Sequence, residues 1–201
     1  CLANVLFNTI VGYSQYGVYC LSTRGCDGYG NNCAWGNCSP TVSSNNISGG
    51  QVVVRTEGEG GTPIISDNTV SDGIVGVRIA RGGPKILRNT IKAGLTGQIG
   101  VQCDALGRST NCTAIVDSNN IDGFSQYGVY CYATRSCDYY GNNCADGNCI
   151  PTIKNNVISG SGIHGIQCRR ATPTITGNTI TGSADCGVYC YNDISSASMI
   201  A

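Results

Sequence analysis

The chain has 201 residues, with 12 Lys plus Arg, 12 Asp plus Glu and a single histidine. This balanced charge, without a basic stripe, argues against a nucleic-acid partner, and no apolar run is long enough to span a membrane. The 14 cysteines far exceed ordinary usage and indicate an oxidising compartment, so we expect an extracellular or cell-surface protein.

A short unit recurs along the chain: an Asn, an Ile or Val two residues later, a Gly soon after, and then Gly-Val/Ile-x-Cys. The unit's asparagines are Asn8, Asn45, Asn68, Asn89, Asn119, Asn156 and Asn178. Helix periodicity is nowhere sustained, and the apolar runs are short and β-prone. One such unit cannot bury its apolar side chains alone, whereas stacked coils with parallel strands can. We therefore predict an all-β solenoid of about seven coils, in which the asparagines shape turns and bond one another in a ladder.

Long insertions separate some of these units. Residues 1–12 align with 149–160, so the chain begins within a coil, and the insertion at 14–41 recurs almost unchanged at 125–152. This near-identity indicates the duplication of a block of coils. Residues 42–102 form plainer coils, and 103–112 form a shorter loop.

The Asn-x-Ile-x-Gly and Gly-Val/Ile-x-x motifs resemble the repeats of right-handed parallel β-helix proteins of the pectate-lyase-like superfamily. The resemblance covers essentially residues 1–201 and implies a right-handed parallel β-helix that forms a single domain over that range. It implies a function much less specifically, because solenoids of this type include enzymes, adhesins and inert spacers.

The cysteines fall into two columns. One closes the Gly-Val/Ile-x-Cys motif and contains Cys20, Cys103, Cys131, Cys168 and Cys190. The other stands two residues before the Pro or Ala that opens the next coil and contains Cys1, Cys38, Cys112 and Cys149. A loop leaves from the first column and returns at the second.

This arrangement predicts disulfide-closed loops. The expected bridges are Cys20–Cys38, Cys103–Cys112 and Cys131–Cys149, with Cys26–Cys33 and Cys137–Cys144 nested inside the two long loops. Each closure would contribute roughly 3 kcal/mol by restraining the unfolded chain. Sequential pairing, such as Cys20–Cys26 with Cys33–Cys38, is an alternative that the sequence leaves open. No partner is predicted for Cys1, Cys168, Cys186 or Cys190, and Cys168 is expected to be a buried free thiol.

No catalytic residue, cofactor or metal site is predicted. His164 lies in Gly162-Ile163-His164-Gly165 and is expected to be an exposed turn residue, because no nucleophile or paired carboxylate has a placed relation to it. The clustered Asp pairs of polygalacturonase-like proteins and the Asp-Pro-His-Glu run of mannuronan epimerases are both missing from this sequence. The spacing of Cys26, Cys33 and Cys38 does not suit zinc.

The x position of Gly-Val/Ile-x-Cys should face solvent, because its neighbours face inward. The residues at this position are Tyr19, Arg78, Gln102, Tyr130, Gln167 and Tyr189. Their side chains suit stacking on sugars and hydrogen bonding to them, so we predict that they bind a ligand. A ladder that only stabilises the sheet is the alternative. The sequons at Asn37, Asn46 and Asn111 are candidates for glycosylation.

These patterns favour a secreted or surface-displayed structural or adhesive β-helix that contacts polysaccharide. A polysaccharide lyase or glycoside hydrolase of the superfamily is the competing hypothesis. Cys190 has no loop-returning cysteine after it, and Cys1 has no loop-leaving cysteine before it. We therefore expect the chain to be one period of something longer, through either a longer chain or end-to-end assembly into filaments.

Overall fold

The computed structural model of the chain describes residues 1–26, 34–107, 110–137 and 144–192, except for the Trp35 side chain. Every regular element in these ranges is a β-strand. In chain order the strands are β1 (Asn4–Leu6), β2 (Thr9–Ile10), β3 (Tyr16–Leu21), β4 (Arg24–Gly25), β5 (Ala34–Trp35), β6 (Thr41–Ser43), β7 (Asn46–Ser48), β8 (Val52–Glu57), β9 (Ile64–Ser66), β10 (Thr69–Ser71), β11 (Val75–Ala80), β12 (Lys85–Leu87), β13 (Thr90–Lys92), β14 (Ile99–Leu106), β15 (Asn111–Cys112), β16 (Ile115–Asp117), β17 (Asn120–Asp122), β18 (Tyr127–Ser136), β19 (Ala145–Asp146), β20 (Asn148–Cys149), β21 (Thr152–Lys154), β22 (Val157–Ser159), β23 (His164–Arg169), β24 (Thr174–Thr176), β25 (Thr179–Thr181) and β26 (Cys186–Tyr191).

Three parallel sheets are built from these strands. The first sheet has the order β1-β6-β9-β12-β16-β21-β24, the second β2-β7-β10-β13-β17-β22-β25, and the third β3-β8-β11-β14-β18-β23-β26. The chain visits the first, second and third sheets in turn and then returns to the first sheet one strand further along. The prediction of an all-β chain with parallel strands is thus confirmed, and the arrangement is compatible with a parallel β-helix or solenoid. We call one passage through the three sheets a repeat.

The insertions leave the repeats between the third sheet and the next strand of the first sheet, as predicted. The antiparallel pair β4–β5 lies in the first long insertion, and β19 pairs antiparallel with the end of β18 in its duplicate. Strands β15 and β20 pair in parallel with each other, so consecutive insertions also stack.

Apolar side chains from all three sheets meet in one core. Columns of Val and Ile fill it, for example Ile65 and Ile86 from the first sheet, Ile91 and Ile121 from the second, and Val101 from the third, all without solvent exposure. Because strand side chains alternate between faces, each strand contributes inward apolar residues and leaves the others to the surface.

The first and second sheets are joined by a sharp turn at the same place in every repeat. The residue before each recurrent asparagine has a left-handed backbone, with φ between 52° and 64°, at Phe7, Ser44, Asp67, Arg88, Ser118, Asn155 and Gly177. The left-handed position thus falls one residue before the asparagine, whose side chain is free to form hydrogen bonds between repeats.

The seven asparagines form the predicted ladder. Six of them donate from Nδ2 to the Oδ1 of the asparagine in the next repeat at 2.9–3.0 Å, in the order Asn8, Asn45, Asn68, Asn89, Asn119, Asn156 and, as the last acceptor, Asn178. The same Oδ1 also accepts from the backbone N–H of the preceding member. The ladder satisfies buried polar groups at every turn, which makes the turn a specific junction between repeats.

Candidate binding face

The outer side of the third sheet carries a continuous row of polar and aromatic side chains, one from each strand. This outer row pairs across neighbouring strands in the order Tyr19, Arg55, Arg78, Gln102, Tyr130, Gln167 and Tyr189. From Tyr19 to Gln167, the residues before and after each member, such as Val77 and Ile79, are buried in the core. The structure therefore brings the six residues predicted from the motif into one line, at the strand spacing of about 4.8 Å.

Arg55 belongs to the outer row but was missed by the sequence interpretation. Its strand lacks the motif, because Val53 stands where other repeats have Gly and Thr56 stands where they have Cys or Ile. The alternation of apolar and polar residues through Val54-Arg55-Thr56 is the signal that would have found it.

A charged and aromatic cluster occupies the start of the row. The Arg55 guanidinium donates to the Tyr16 hydroxyl and to Glu57 Oε2, both at 2.7 Å, and the Tyr19 hydroxyl donates to the same Oε2 at 2.9 Å. The guanidinium also lies 5.1 Å from the Tyr16 ring centroid. Partial burial alone would raise the pKa of Glu57, but the hydrogen bonds from Tyr19 and Arg55 outweigh it and hold that pKa below its ordinary value. This end of the row is therefore an internally paired cluster.

A buried carboxylate anchors the middle of the row. Asp104 lies on β14, has no solvent exposure, and accepts hydrogen bonds from Arg78 Nε and Gln102 Nε2 at 3.0 Å. Burial raises the pKa of the Asp104 carboxyl, although Gln102 and Arg78 oppose the shift. Two members of the outer row are thus held in place by one carboxyl group that ligands cannot reach.

Aromatic rings dominate the far end of the face. Tyr127 and Tyr130 have ring centroids 5.2 Å apart, and His164 lies 5.9 Å from Tyr127 and 4.7 Å from Tyr189. Burial raises the pKa of the Tyr130 hydroxyl to about 12, so this group stays protonated at neutral pH. The rings form a continuous aromatic surface across three strands.

Beside them, a second group of side chains extends this surface. The Arg169 guanidinium lies 5.1 Å from the Tyr132 ring centroid and 5.9 Å from that of Tyr191. Gln167 Nε2 lies 3.4 Å from the Tyr191 hydroxyl, and Gln167 is only 6% exposed. The expectation that every row member faces solvent is therefore wrong for Gln167, whereas Tyr19 and Tyr189 are 42% and 41% exposed.

His164 is not the exposed turn residue that the sequence suggested. It begins β23 and is 5% exposed, because it pairs with Tyr127 on one side and Cys186 on the other. The Gly-Ile-His-Gly run suggested a turn, but the turn ends at Ile163 and the histidine is the first residue of the next strand.

The cysteine columns are present, and their thiols lie side by side. Of the predicted bridges, Cys137–Cys144 is confirmed, and Cys26–Cys33 involves Cys33, which lies outside the described residues. The remaining loop-closing residues Cys20, Cys38, Cys103, Cys112, Cys131 and Cys149 are free thiols. The bridges predicted among them are therefore not formed in this structure.

Strand register explains why these thiols have competing partners. The Cys103 thiol is hydrogen-bonded to the predicted partner Cys112 and also to Cys131 on the adjacent strand. Cys131 likewise contacts Cys149 and Cys168. Cys103 and Cys131 thus each meet one sulfur across the loop and another along their own column. The loop-closing pairing stays a prediction for the oxidised protein. Cys168 is buried, as expected for its inward position.

The three glycosylation candidates are exposed at the surface, namely Asn37, Asn46 and Asn111. Asn37 Oδ1 accepts from the Ser39 hydroxyl at 2.7 Å, and Asn111 Oδ1 accepts from Asn148 Nδ2 at 3.2 Å. None of the three lies on the outer row, so glycans at these positions would leave its line of contacts free.

Comparison with models of known protein families, with curated proteins and with solved structures found no match to this chain. Within the described ranges, no helix has the length and apolar character needed to cross a membrane.

Proposed function

We propose that the chain is a right-handed parallel β-helix of about seven coils that serves a structural or adhesive role outside the cell and binds polysaccharide along the outer row. The observation that supports this proposal is the continuity of the row, in which aromatic and hydrogen-bonding side chains follow one another on seven strands. A repeated line of similar contacts suits a polymer of repeated sugar units better than a small molecule.

The electrostatics of the row favour a neutral, hydroxyl-rich chain over a strongly acidic one. Arg55 pairs with Glu57 at 2.7 Å, and Arg78 pairs with Asp104 at 3.0 Å. Because both guanidinium groups are already neutralised, the row offers stacking surfaces and hydrogen-bond donors rather than free positive charge.

Affinity electrophoresis through gels containing single soluble polysaccharides tests the proposal. We expect neutral β-linked or α-linked glucans or mannans to retard the protein more than pectate or alginate does. Tyr19→Ala and Tyr189→Ala remove the two most exposed rings of the row and should each weaken retardation several-fold, since loss of a stacking contact costs about 1 kcal/mol.

Phe7→Ala is the matched control, because Phe7 is an exposed aromatic residue on the turn between the first and second sheets. It should leave retardation unchanged. Equal weakening by Phe7→Ala, or no retardation by any polysaccharide in the panel, would contradict the proposal.

The burial and hydrogen bonding of the carboxyl groups on this face favour polysaccharide binding over polysaccharide cleavage. Hydrolysis of a glycosidic bond needs two carboxyl groups that flank the bond. Asp104 has no exposure, and Glu57 already accepts from Tyr19 and Arg55. A lyase or hydrolase function has no comparable observation in its favour.

End-to-end continuation is the second part of the proposal, and the polarity of the asparagine ladder supports it. Every rung donates in one direction, from Asn8 toward Asn178. A further repeat beyond β25, in the same chain or in a second copy, would extend the ladder without reversing it. Such heterologous stacking produces filaments, which electron microscopy of the native protein would reveal. Uniform monomers under all conditions would contradict assembly of copies.

A further inference from the structure

A cluster of three potential metal ligands lies on the third sheet beside the far end of the outer row, where the His164 ring lies 4.7 Å from that of Tyr189. His164 begins β23, and Cys186 begins the neighbouring strand β26, where the two residues pair directly. Asp185 precedes Cys186. One ligand atom from each residue lies within 4.8 Å of those of the other two.

The histidine is buried and its ring nitrogen lacks a hydrogen-bond partner. The His164 side chain is 7% exposed, and Nδ1 makes no hydrogen bond although it is fully shielded. A buried ring nitrogen without a partner is costly unless another group binds it. Asp185 Oδ2 lies 3.8 Å from Nδ1, which is too far for a hydrogen bond.

We propose that His164, Asp185 and Cys186 form a binding site for a zinc-class divalent metal ion. Imidazole nitrogen, carboxylate oxygen and thiolate sulfur are all ligands of Zn²⁺, with bonds of about 2.0–2.3 Å. Ligand atoms around a tetrahedral ion at those lengths lie roughly 3.4–3.6 Å apart. The two oxygens of the Asp185 carboxylate face the other two ligands, with Oδ2 3.8 Å from His164 Nδ1 and Oδ1 3.6 Å from Cys186 Sγ, and one ligand atom from each residue lies within 4.8 Å of the others.

Charge and orientation both support the site. A carboxylate and a thiolate together balance a divalent cation, while the imidazole binds as a neutral ligand. The His164 ring is held between Tyr127 and Tyr189, at centroid distances of 5.9 and 4.7 Å. Its orientation is therefore set before an ion arrives, which lowers the cost of binding. An ion at this position would link β23 to β26 and hold the last described repeat in place.

The site has three protein ligands among the described residues, and a tetrahedral ion has four positions. The fourth position is thus open to water or to another small ligand. This inference does not depend on the proposed polysaccharide binding, because none of the three ligands belongs to the outer row.

Zinc titration of the metal-stripped full chain, under argon and in competition with a chromophoric chelator, tests the proposal. We expect one high-affinity ion per chain. Asp185→Asn, Cys186→Ser and His164→Gln should each weaken zinc binding by at least about tenfold. Because the Asp185 side chain is 69% exposed, its variant should fold normally even if replacement of the buried histidine does not.

Cys190→Ser is the control, since Cys190 is an exposed free thiol on the same strand. It should bind zinc like the wild type. In wild type, Co²⁺ should give the thiolate charge-transfer band and intense visible bands of a tetrahedral site, and Cys186→Ser should lose the charge-transfer band. Absent zinc binding, unchanged affinity in Asp185→Asn and Cys186→Ser, or an equal loss in Cys190→Ser would overturn the proposal.

Discussion

Each ladder asparagine satisfies several buried groups at once. Asn89 is 1% exposed, and its Nδ2 donates to Asn119 Oδ1, Ile65 O and Leu87 O at 2.9–3.1 Å. Its Oδ1 accepts from the backbone and side chain of Asn68. No other side chain of similar size combines two donors and an acceptor in this geometry, so the residue type is dictated by the turn.

We predict that Asn89→Ala lowers the free energy of unfolding by about 3 kcal/mol, because it leaves several buried groups without partners. Urea denaturation measures this change. Asn120→Ala is the control, since Asn120 is exposed in the next repeat and should change stability little. Similar losses in the two variants would show that the ladder has no special role.

The buried carboxyl group of Asp104 makes the free energy of unfolding depend on pH, and the direction of this dependence follows from its pKa. Burial raises its folded-state pKa above the unfolded value of about 3.9. The stability from this group is therefore fully present below the unfolded pKa and is lost as pH rises through the folded pKa. Arg78 and Gln102 donate to the carboxylate and reduce this effect without reversing it.

We expect the stability of the wild type relative to Asp104→Asn to fall as pH rises from about 4 toward neutrality. Urea denaturation at several pH values gives this difference, in which contributions from other groups cancel. Asp67→Asn is the control with opposite sign, because the hydrogen bond from Arg88 holds the pKa of Asp67 below its ordinary value. A flat or rising difference for Asp104→Asn would contradict the argument.

At the scale of the strands, the glycine of the Gly-Val/Ile-x-Cys motif has a packing reason. A Cβ atom built on Gly76 would lie 2.6 Å from Ile91 Cγ2 and 2.7 Å from Gly100 O. The glycine lets the start of β11 approach the second sheet, and Gly100 occupies the same place in the next repeat. The glycine of the motif is thus explained by close packing between two sheets and not by a flexible turn.

We predict that Gly76→Ala destabilises the fold by about 2 kcal/mol, because the added methyl group overpacks the core. Thermal unfolding followed by circular dichroism would measure the loss. Gly25→Ala serves for comparison, since a Cβ there meets nothing within 4 Å. If both glycines tolerate alanine equally, the close-packing explanation is wrong.

The recurrence of the same motifs made much of the fold and of the outer row predictable. The asparagine ladder and most of the outer row follow from a period that repeats with the same residue types, whatever the loop lengths between. Arg55 was not predicted as a member of the outer row, because its strand has neither the Gly nor the Cys of the motif. Cys137–Cys144 was predicted correctly, but the pairing of the other loop-closing cysteines could not be derived, because register places Cys103 Sγ and Cys131 Sγ beside both an in-column and a cross-loop neighbour.

The cluster of His164, Asp185 and Cys186 could not be predicted from the sequence either. His164 and Cys186 meet only because β23 and β26 pair with that register. Turn-forming residues around the histidine suggested exposure, whereas the strand begins at His164 itself and the neighbouring Tyr127 and Tyr189 rings lie against it.

At the scale of the whole molecule, the three sheets convert a sequence repeat into parallel lines of side chains. One line is the buried asparagine ladder, and another is the outer row on the third sheet. The asparagine ladder stabilises the stacked repeats, and the outer row is the surface that we propose to bind polysaccharide. We therefore expect the outer face of the third sheet, and not the turns or the other two sheets, to contact the polysaccharide.

Hydroxyl-radical footprinting of the protein with a bound neutral polysaccharide tests this claim directly. We expect lower oxidation of Tyr19 and Tyr189 on the outer row, whereas oxidation of the exposed residues Phe7 and Leu95 should be unchanged. Protection of Phe7 or Leu95 with no protection of the two tyrosines would contradict it.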